Sequence, residues 1–130
     1  MIITGIDHVV LRMRDLEAAV AFYRDVLGCT VERRIDTIGM VQLRAGAALI
    51  DLVAVDGALG RQGGVAPGPG GHNMDHLCLR VADFDVDTIV AHLTRHGVKV
   101  GEIGQRNGST GEATSVYLQD LEGNHLELRA

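Results

Sequence analysis

The stretch Asp7-His8-Val9-Val10-Leu11-Arg12-Met13 returns, 68 positions on, as Asp75-His76-Leu77-Cys78-Leu79-Arg80-Val81. In both copies an Asp-His pair opens an alternating apolar run, an Arg stands four residues after the His, and an Asp follows three residues later (Asp15, Asp83). A unit this long, present only twice, reads as a duplicated module rather than a solenoid repeat. Alternation over roughly residues 3–13 predicts a strand with Ile6, His8, Val10 and Arg12 on one face and Asp7, Val9, Leu11 and Met13 on the other. His8 and Arg12 therefore look the same way.

The residues after each copy extend the parallel. Asp15 is placed to cap a helix whose apolar residues Leu16, Ala19, Val20, Tyr23 and Leu27 recur at helical spacing, with Gly28 where a left-handed cap falls. Three strand-like runs follow, at about 29–36, 39–44 and 47–55, with hairpin turns at Ile38-Gly39 and Ala45-Gly46-Ala47. The second half repeats the order: a strand near 75–82, a helix from Asp83 or Phe84 to His96 capped by Gly97, then strands near 98–104, 113–119 and 124–129. A polar loop from Gly104 to Glu112 is expected inside that second set, and Gly123-Asn124 suits a tight last turn. Between the halves, residues 57–72 hold both prolines and no periodicity, which reads as a linker or flexible cover. The fold class expected is α+β: one domain over 1–130, with βαβββ modules at about 1–56 and 75–130 and a linker at about 57–74. Each module has a sheet face that its own helix does not cover, and a second module can cover it. The expected architecture is a cupped, barrel-like mixed sheet with the helices outside.

Composition narrows the function classes. A chain of 130 residues can bury roughly two-thirds of its unfolded surface and fold without staples. A net charge of −5 offers no basic face for a phosphate backbone, so no nucleic-acid partner is expected. No apolar run approaches the roughly 18–20 residues that cross a bilayer, and the opening residues lack a basic leader, so no membrane partner is expected. Cys29 and Cys78 lie in separate apolar runs, which fits a reducing cytoplasm rather than a disulfide or thiolate site.

Each module offers two candidate metal ligands at matching places. The first strand gives His8 or His76; the last gives Asp51, within Leu49-Ile50-Asp51-Leu52-Val53, or Glu127, within His125-Leu126-Glu127-Leu128-Arg129. An acid centred in an apolar strand is costly to bury unless paired or metal-bound. A lone strand histidine is more often a hydrogen-bonded core residue, but two histidines and two acids at repeated positions favour a site. Two imidazoles and two carboxylates suit Ni²⁺, Zn²⁺, Mn²⁺ or Fe²⁺. Arg12, on the His8 face, is either a surface ion-pair donor or a clamp for an anion. His92 and His96, four apart on a helix, read as a solvated face, and Gly60-Arg61-Gln62-Gly63-Gly64 lacks the context of a phosphate loop.

Asp7-His8-Val9-Val10-Leu11, the helix containing Ala21-Phe22-Tyr23-Arg24-Asp25-Val26-Leu27-Gly28, and the closing Asp120-Leu121-Glu122-Gly123-Asn124-His125-Leu126-Glu127-Leu128 together resemble the vicinal oxygen chelate superfamily. That superfamily includes glyoxalase I, fosfomycin-resistance proteins, bleomycin resistance-like binders and extradiol dioxygenases. The resemblance spans nearly the whole chain. It implies paired βαβββ modules around a divalent metal held by His8, His76 and Glu127, with Asp51 as a fourth ligand in the glyoxalase-like branch. It also implies a homodimer. The spacing from His8 to Arg12 is similar to that of glyoxalase I, whose matching Arg holds a glutathione carboxylate. Asp51 in place of Glu, Val55 in place of Asn and Leu121 in place of Pro depart from the family patterns. Arg106-Asn107-Gly108-Ser109-Thr110-Gly111 with Ser115-Val116-Tyr117 looks like the fosfomycin-resistance branch, where this loop borders the substrate; Arg106 and Tyr117 are the contacts it implies.

The function these readings favour is a metal-dependent, glyoxalase-like lyase or isomerase acting on a small oxygen-bearing substrate, with Glu127 or Asp51 moving a proton. Its alternatives are a fosfomycin-resistance-type epoxide-opening enzyme, a metal-free drug- or metabolite-binding protein, and an extradiol-type Fe²⁺ oxygenase.

Overall fold

The computed structural model describes all of residues 1–130. The chain divides into two compact units, Met1–Asn73 and Met74–Ala130. Each carries one helix and one four-stranded mixed sheet in the order βαβββ, so the fold is α+β with two tandem modules. No helix is long and apolar enough to cross a membrane.

In the first unit, β1 (His8–Met13), α1 (Leu16–Asp25), β2 (Thr30–Ile35), β3 (Met40–Ala45) and β4 (Ala48–Ala54) follow in sequence. The sheet order is β1-β4-β3-β2, with β1 parallel to β4 and the other pairs antiparallel. Register aligns Val9 with Ile50 and Leu43, and Leu11 with Leu52 and Val41, in rows across three strands. Most of these residues are buried, as are Ala19, Val20 and Tyr23 of α1, and together they form the core of this unit. Asp15 caps α1 by accepting from the Ala18 N–H at 2.9 Å. The turns fall where glycine allows positive φ, at Gly39 (69°) and Gly46 (61°).

The second unit repeats the plan with β5 (His76–Arg80), α2 (Val86–Arg95), β6 (Ile103–Gly108), β7 (Gly111–Gln119) and β8 (His125–Arg129), in the sheet order β5-β8-β7-β6. Leu77, Leu126 and Leu118 form one apolar row and Leu79, Leu128 and Val116 the next. Ile89 and Leu93 of α2 are buried with them.

Three boundaries differ from the sequence reading. The first strand starts at His8, not near residue 3, because β1 finds its ladder partner only in β4, whose register begins at Leu49. Helix α2 is capped by Asp85, whose carboxylate accepts from the Thr88 N–H at 2.8 Å; Asp83, the sequence counterpart of Asp15, lies before it with φ 49°. The segment expected as a polar loop from Gly104 to Glu112 is mostly strand, with only Ser109 and Thr110 between β6 and β7. An edge ladder needs backbone groups rather than apolar side chains, and here a Gln105 to Thr114 side-chain bond of 2.8 Å reinforces it. Residues 98–102 contribute backbone bonds between Gly101 and Tyr117 and between Tyr117 and Glu102 without forming a regular strand.

The cap assignment is directly measurable. Asp85→Ala should destabilise the protein by about 0.5–2 kcal/mol, seen as a lower urea midpoint at unchanged slope, whereas Asp83→Gly, which suits the positive φ there, should not.

Candidate metal centre

The sheet face opposite the apolar rows carries the polar residues of each unit. In the first unit its rows are His8–Leu49–Arg44, Val10–Asp51–Gln42 and Arg12–Val53–Met40 across β1, β4 and β3. In the second they are His76–His125–Gln119, Cys78–Glu127–Tyr117 and Arg80–Arg129–Ser115 across β5, β8 and β7. His8 corresponds to His76, Asp51 to Glu127, Arg12 to Arg80 and Gln42 to Tyr117.

Asp51 is only 3 % exposed. The Gln42 side-chain amide donates to its Oδ2 at 3.0 Å, and its Oδ1 is buried with no hydrogen-bond partner. His8 lies one row away. A hydrogen bond to Asp7 holds its imidazole above the ordinary pKa; burial opposes that shift, and the negative charge of Asp51 adds to it.

Glu127 is likewise buried, at 4 % exposure. The Ser115 hydroxyl donates to its Oε1, while Oε2 lies 3.4 Å from His76 Nε2. Burial pushes the Glu127 carboxyl up, but hydrogen bonds from Ser115, Tyr117 and Cys78 and the proximity of His76 outweigh it and leave the group below its usual range. The Cys78 thiol is pushed up to about 11, first by desolvation and then by Glu127. Tyr117 stacks edge-on to His76 at 6.2 Å, and the Arg106 guanidinium lies 5.5 Å from the centre of the Tyr117 ring while pairing with Glu102 at 2.5 Å.

Each unit thus brings one histidine and one buried carboxylate onto a single sheet face. No group of three or more His, Cys, Asp or Glu side chains suited to a metal forms within either unit. The donor chemistry fits a divalent ion: neutral imidazole nitrogens, carboxylate oxygens, and in Asp51 a buried oxygen with nothing else to bind.

Arg12 shares this face, but its guanidinium is engaged with its own unit's Gly-rich segment. It donates to the Gly64 carbonyl at 3.2 Å and to the Val65 carbonyl at 3.0 Å. A Cβ on Gly63 would lie 2.5 Å from Arg12 Nη1, so a side chain there would displace the guanidinium from this position. The Asn73 side chain binds the Arg12 backbone on both sides, accepting from its N–H at 3.1 Å and donating to its carbonyl at 3.0 Å. Residues 57–71 are therefore ordered cover that includes a 3-10 turn at Gly60–Gly63. Two charge-assisted bonds of this kind are worth about 1–3 kcal/mol, so Arg12→Ala should raise tryptic cleavage at Arg61 roughly tenfold, with Arg80→Ala as the control that leaves it unchanged.

Sequence reasoning did not single out Gln42, Ser115 or Cys78 as neighbours of the two acids, because cross-strand partners become visible only once register is known. Asp7 and Asp75 were visible as part of the repeat, and the structure adds their contact with the adjacent imidazoles, at 2.7 and 2.5 Å. His92 and His96 stack on each other at 4.6 Å along α2.

Residues 5–128 match the sequence profile of the Glyoxalase/Bleomycin resistance protein/Dioxygenase superfamily. The chain belongs to that superfamily. Among curated members it is 29 % identical to a virulence protein of Salmonella typhimurium, over 98 % of this chain and 85 % of the relative. The crystal structure of that protein superposes with a TM-score of 0.79 at 26 % identity, covering 99 % of this chain and 98 % of the other. The metallothiol transferase FosB of Staphylococcus haemolyticus is 24 % identical over 97 % of this chain and 83 % of its own length. A lactoylglutathione lyase from Agrobacterium tumefaciens shares the fold with a TM-score of 0.70 at 23 % identity, covering 97 % of this chain and 92 % of that one. The superfamily's duplicated βαβββ plan accounts for the repeated Asp-His stretch and for the paired positions of the two histidines and two acids.

Proposed function

We propose that this chain is a divalent-metal-dependent lyase or isomerase of the glyoxalase type, acting on a small substrate with neighbouring oxygens, with His8, Asp51, His76 and Glu127 as the metal ligands. The observation that carries the reading is the matched pair of half-sites, each a histidine and a nearly fully buried carboxylate on one sheet face. Buried acids of this kind are costly without a cation. A bound divalent ion supplies Lewis-acid stabilisation of negative charge on a substrate oxygen.

The chain's own residues supply the remaining functions. Ser115 fixes one oxygen of Glu127 and leaves the other directed at His76, so Glu127 is held in one orientation and can take a proton from carbon or return it to a neighbouring atom. Hydrogen bonds from Ser115, Tyr117 and Cys78 hold Glu127 in its ionised form, the form that accepts a proton. Asp51 would carry the same role in place of Glu127. Tyr117 and Arg106 border the Glu127 face and orient the substrate. The glutathione-carboxylate role that the resemblance to glyoxalase I implies for Arg12 requires its guanidinium to exchange loop carbonyls for substrate.

FosB-like relatives support a second reading in the same metal site, transfer of a thiol onto an epoxide. We further infer a homodimer working in the cytoplasm. Ile2, Ile3 and Ile6, each more than 80 % exposed, support association with a second copy. The activity test is metal-restored enzyme assayed on methylglyoxal with glutathione and on fosfomycin with a thiol. Turnover of the first supports the lyase and turnover of the second alone the transferase; inactivity on both defeats each of these substrate assignments.

A further inference from the structure

The repeat that opens each module is an Asp-His pair, and in both units the acid reaches the same atom of the next residue. Asp7 Oδ1 lies 2.7 Å from His8 Nδ1, and Asp75 Oδ2 lies 2.5 Å from His76 Nδ1. Neighbours within a strand point to opposite faces. Here the strand begins at the histidine in each case, so the preceding acid is outside the regular alternation and its carboxylate can curl to the imidazole side. In the first unit the Leu49 N–H donates to the Asp7 carbonyl at 2.9 Å and anchors the backbone at that point.

Both acids are almost wholly solvent-exposed, with side-chain exposures of 92 % for Asp7 and 97 % for Asp75. An ion pair that exposed contributes little to stability, so keeping the same geometry in both modules calls for another reason. Its chemistry is specific. An ionised carboxylate only accepts, so the Nδ1 it touches must carry the hydrogen, and the lone pair of a neutral imidazole is then on Nε2. For His76 that nitrogen is the one facing Glu127, at 3.4 Å from Oε2.

We propose that Asp7 and Asp75 are positioning residues that lock His8 and His76 in the Nδ1–H tautomer and present Nε2 as the metal-binding atom, an inference that rests on the metal-site reading above. A carboxylate behind a ligating imidazole fixes ring orientation and raises ligand basicity, and losing such a partner generally costs about 10–100-fold in metal affinity. Asp7 and Asp75 thereby act through the histidines, and the duplicated Asp-His pair becomes a duplicated ligand with its own support.

Two readouts test this. In metal-free protein held at a pH where the imidazoles are neutral, nitrogen-15 spectra should show Nδ1 protonated and Nε2 bare in His8 and His76, the closer Asp75 contact of 2.5 Å outweighing Glu127 at 3.4 Å. Asp7→Ala and Asp75→Ala should move the hydrogen toward Nε2 in the adjacent ring only, and Asp75→Asn, whose amide oxygen still accepts, should largely keep the original tautomer. Mn²⁺ and Zn²⁺ titrations should give affinity about tenfold or more weaker for each alanine variant and a smaller loss for Asn, with thermal unfolding of the metal-free protein unchanged. Nε2–H in the wild-type rings, or alanine variants that bind either ion within twofold of wild type, would overturn the proposal. If the wild-type protein takes up neither ion, the metal-site reading fails, and with it the proposed purpose of the dyads, while the tautomer spectra still decide whether the carboxylates set the rings.

Discussion

Glu127→Gln should reduce divalent-metal affinity by more than about 100-fold while leaving the metal-free fold intact. The amide keeps the shape of the side chain and an oxygen for the Ser115 hydroxyl, but it removes the charge and puts an amide NH2, which only donates, where one carboxylate oxygen stood. Outer-shell partners alone cost about 10–100-fold, so a proposed inner ligand should cost more. The same variant should lose turnover in any metal-restored assay, because Glu127 is also the proposed base. Metal-free Glu127→Gln should unfold within about 1 kcal/mol of wild type in urea, since the weakening of the hydrogen bonds from Ser115, Tyr117 and Cys78 is offset by removal of a buried charge. A variant that binds metal normally would remove Glu127 from the ligand set.

Asp51→Leu should also weaken metal binding, but unlike Glu127→Gln it should raise the stability of the metal-free protein. The Asp51 carboxylate is 3 % exposed, sits between Val10, Leu49 and Val53, and has one oxygen bound by Gln42 and one by nothing. A buried polar atom without a partner costs about 1–3 kcal/mol, and replacing buried charge by an apolar side chain of similar volume is often stabilising. The metal-free variant should therefore gain roughly 1–3 kcal/mol in denaturant unfolding, offset slightly because Gln42, which is only half-buried, loses its acceptor. Metal uptake should fall with it. A protein that is stabilised when a residue is removed carries that residue for function, which makes the sign of this change informative. Destabilisation by more than about 1 kcal/mol would show that Asp51 is a structural residue in the metal-free state.

These two acids also mark how far the sequence could be read. Duplication and the βαβββ order were legible because Asp7-His8 and Asp75-His76 repeat, and Asp51 stood out because an acid among Leu49, Ile50, Leu52 and Val53 violates the apolar pattern of a core strand. Less legible was anything set by hydrogen-bond register. Gln42 and Tyr117 lie opposite Asp51 and Glu127 only after β3 and β7 are placed beside β4 and β8. The polar run from Gly104 to Glu112 read as a loop because periodicity reports burial, whereas β6 is an edge strand held by its backbone ladder and a Gln105–Thr114 contact. Arg12 shows a third limit. Alternation placed it on the His8 face correctly, but the acceptors of its guanidinium, Gly64 and Val65, come from a segment with no periodicity to read.

In the proposed metal site, the ligands of both half-sites hold one ion. If so, the number of ions bound equals the number of chains, whichever units come together, and each half-site is indispensable. Titration of metal-free protein with Mn²⁺, followed by equilibrium dialysis and elemental analysis, tests this most directly. The wild type should bind one ion per chain, and both His8→Ala and His76→Ala should lose tight uptake. Absence of saturable uptake in the wild type, or uptake that survives both substitutions, would contradict it.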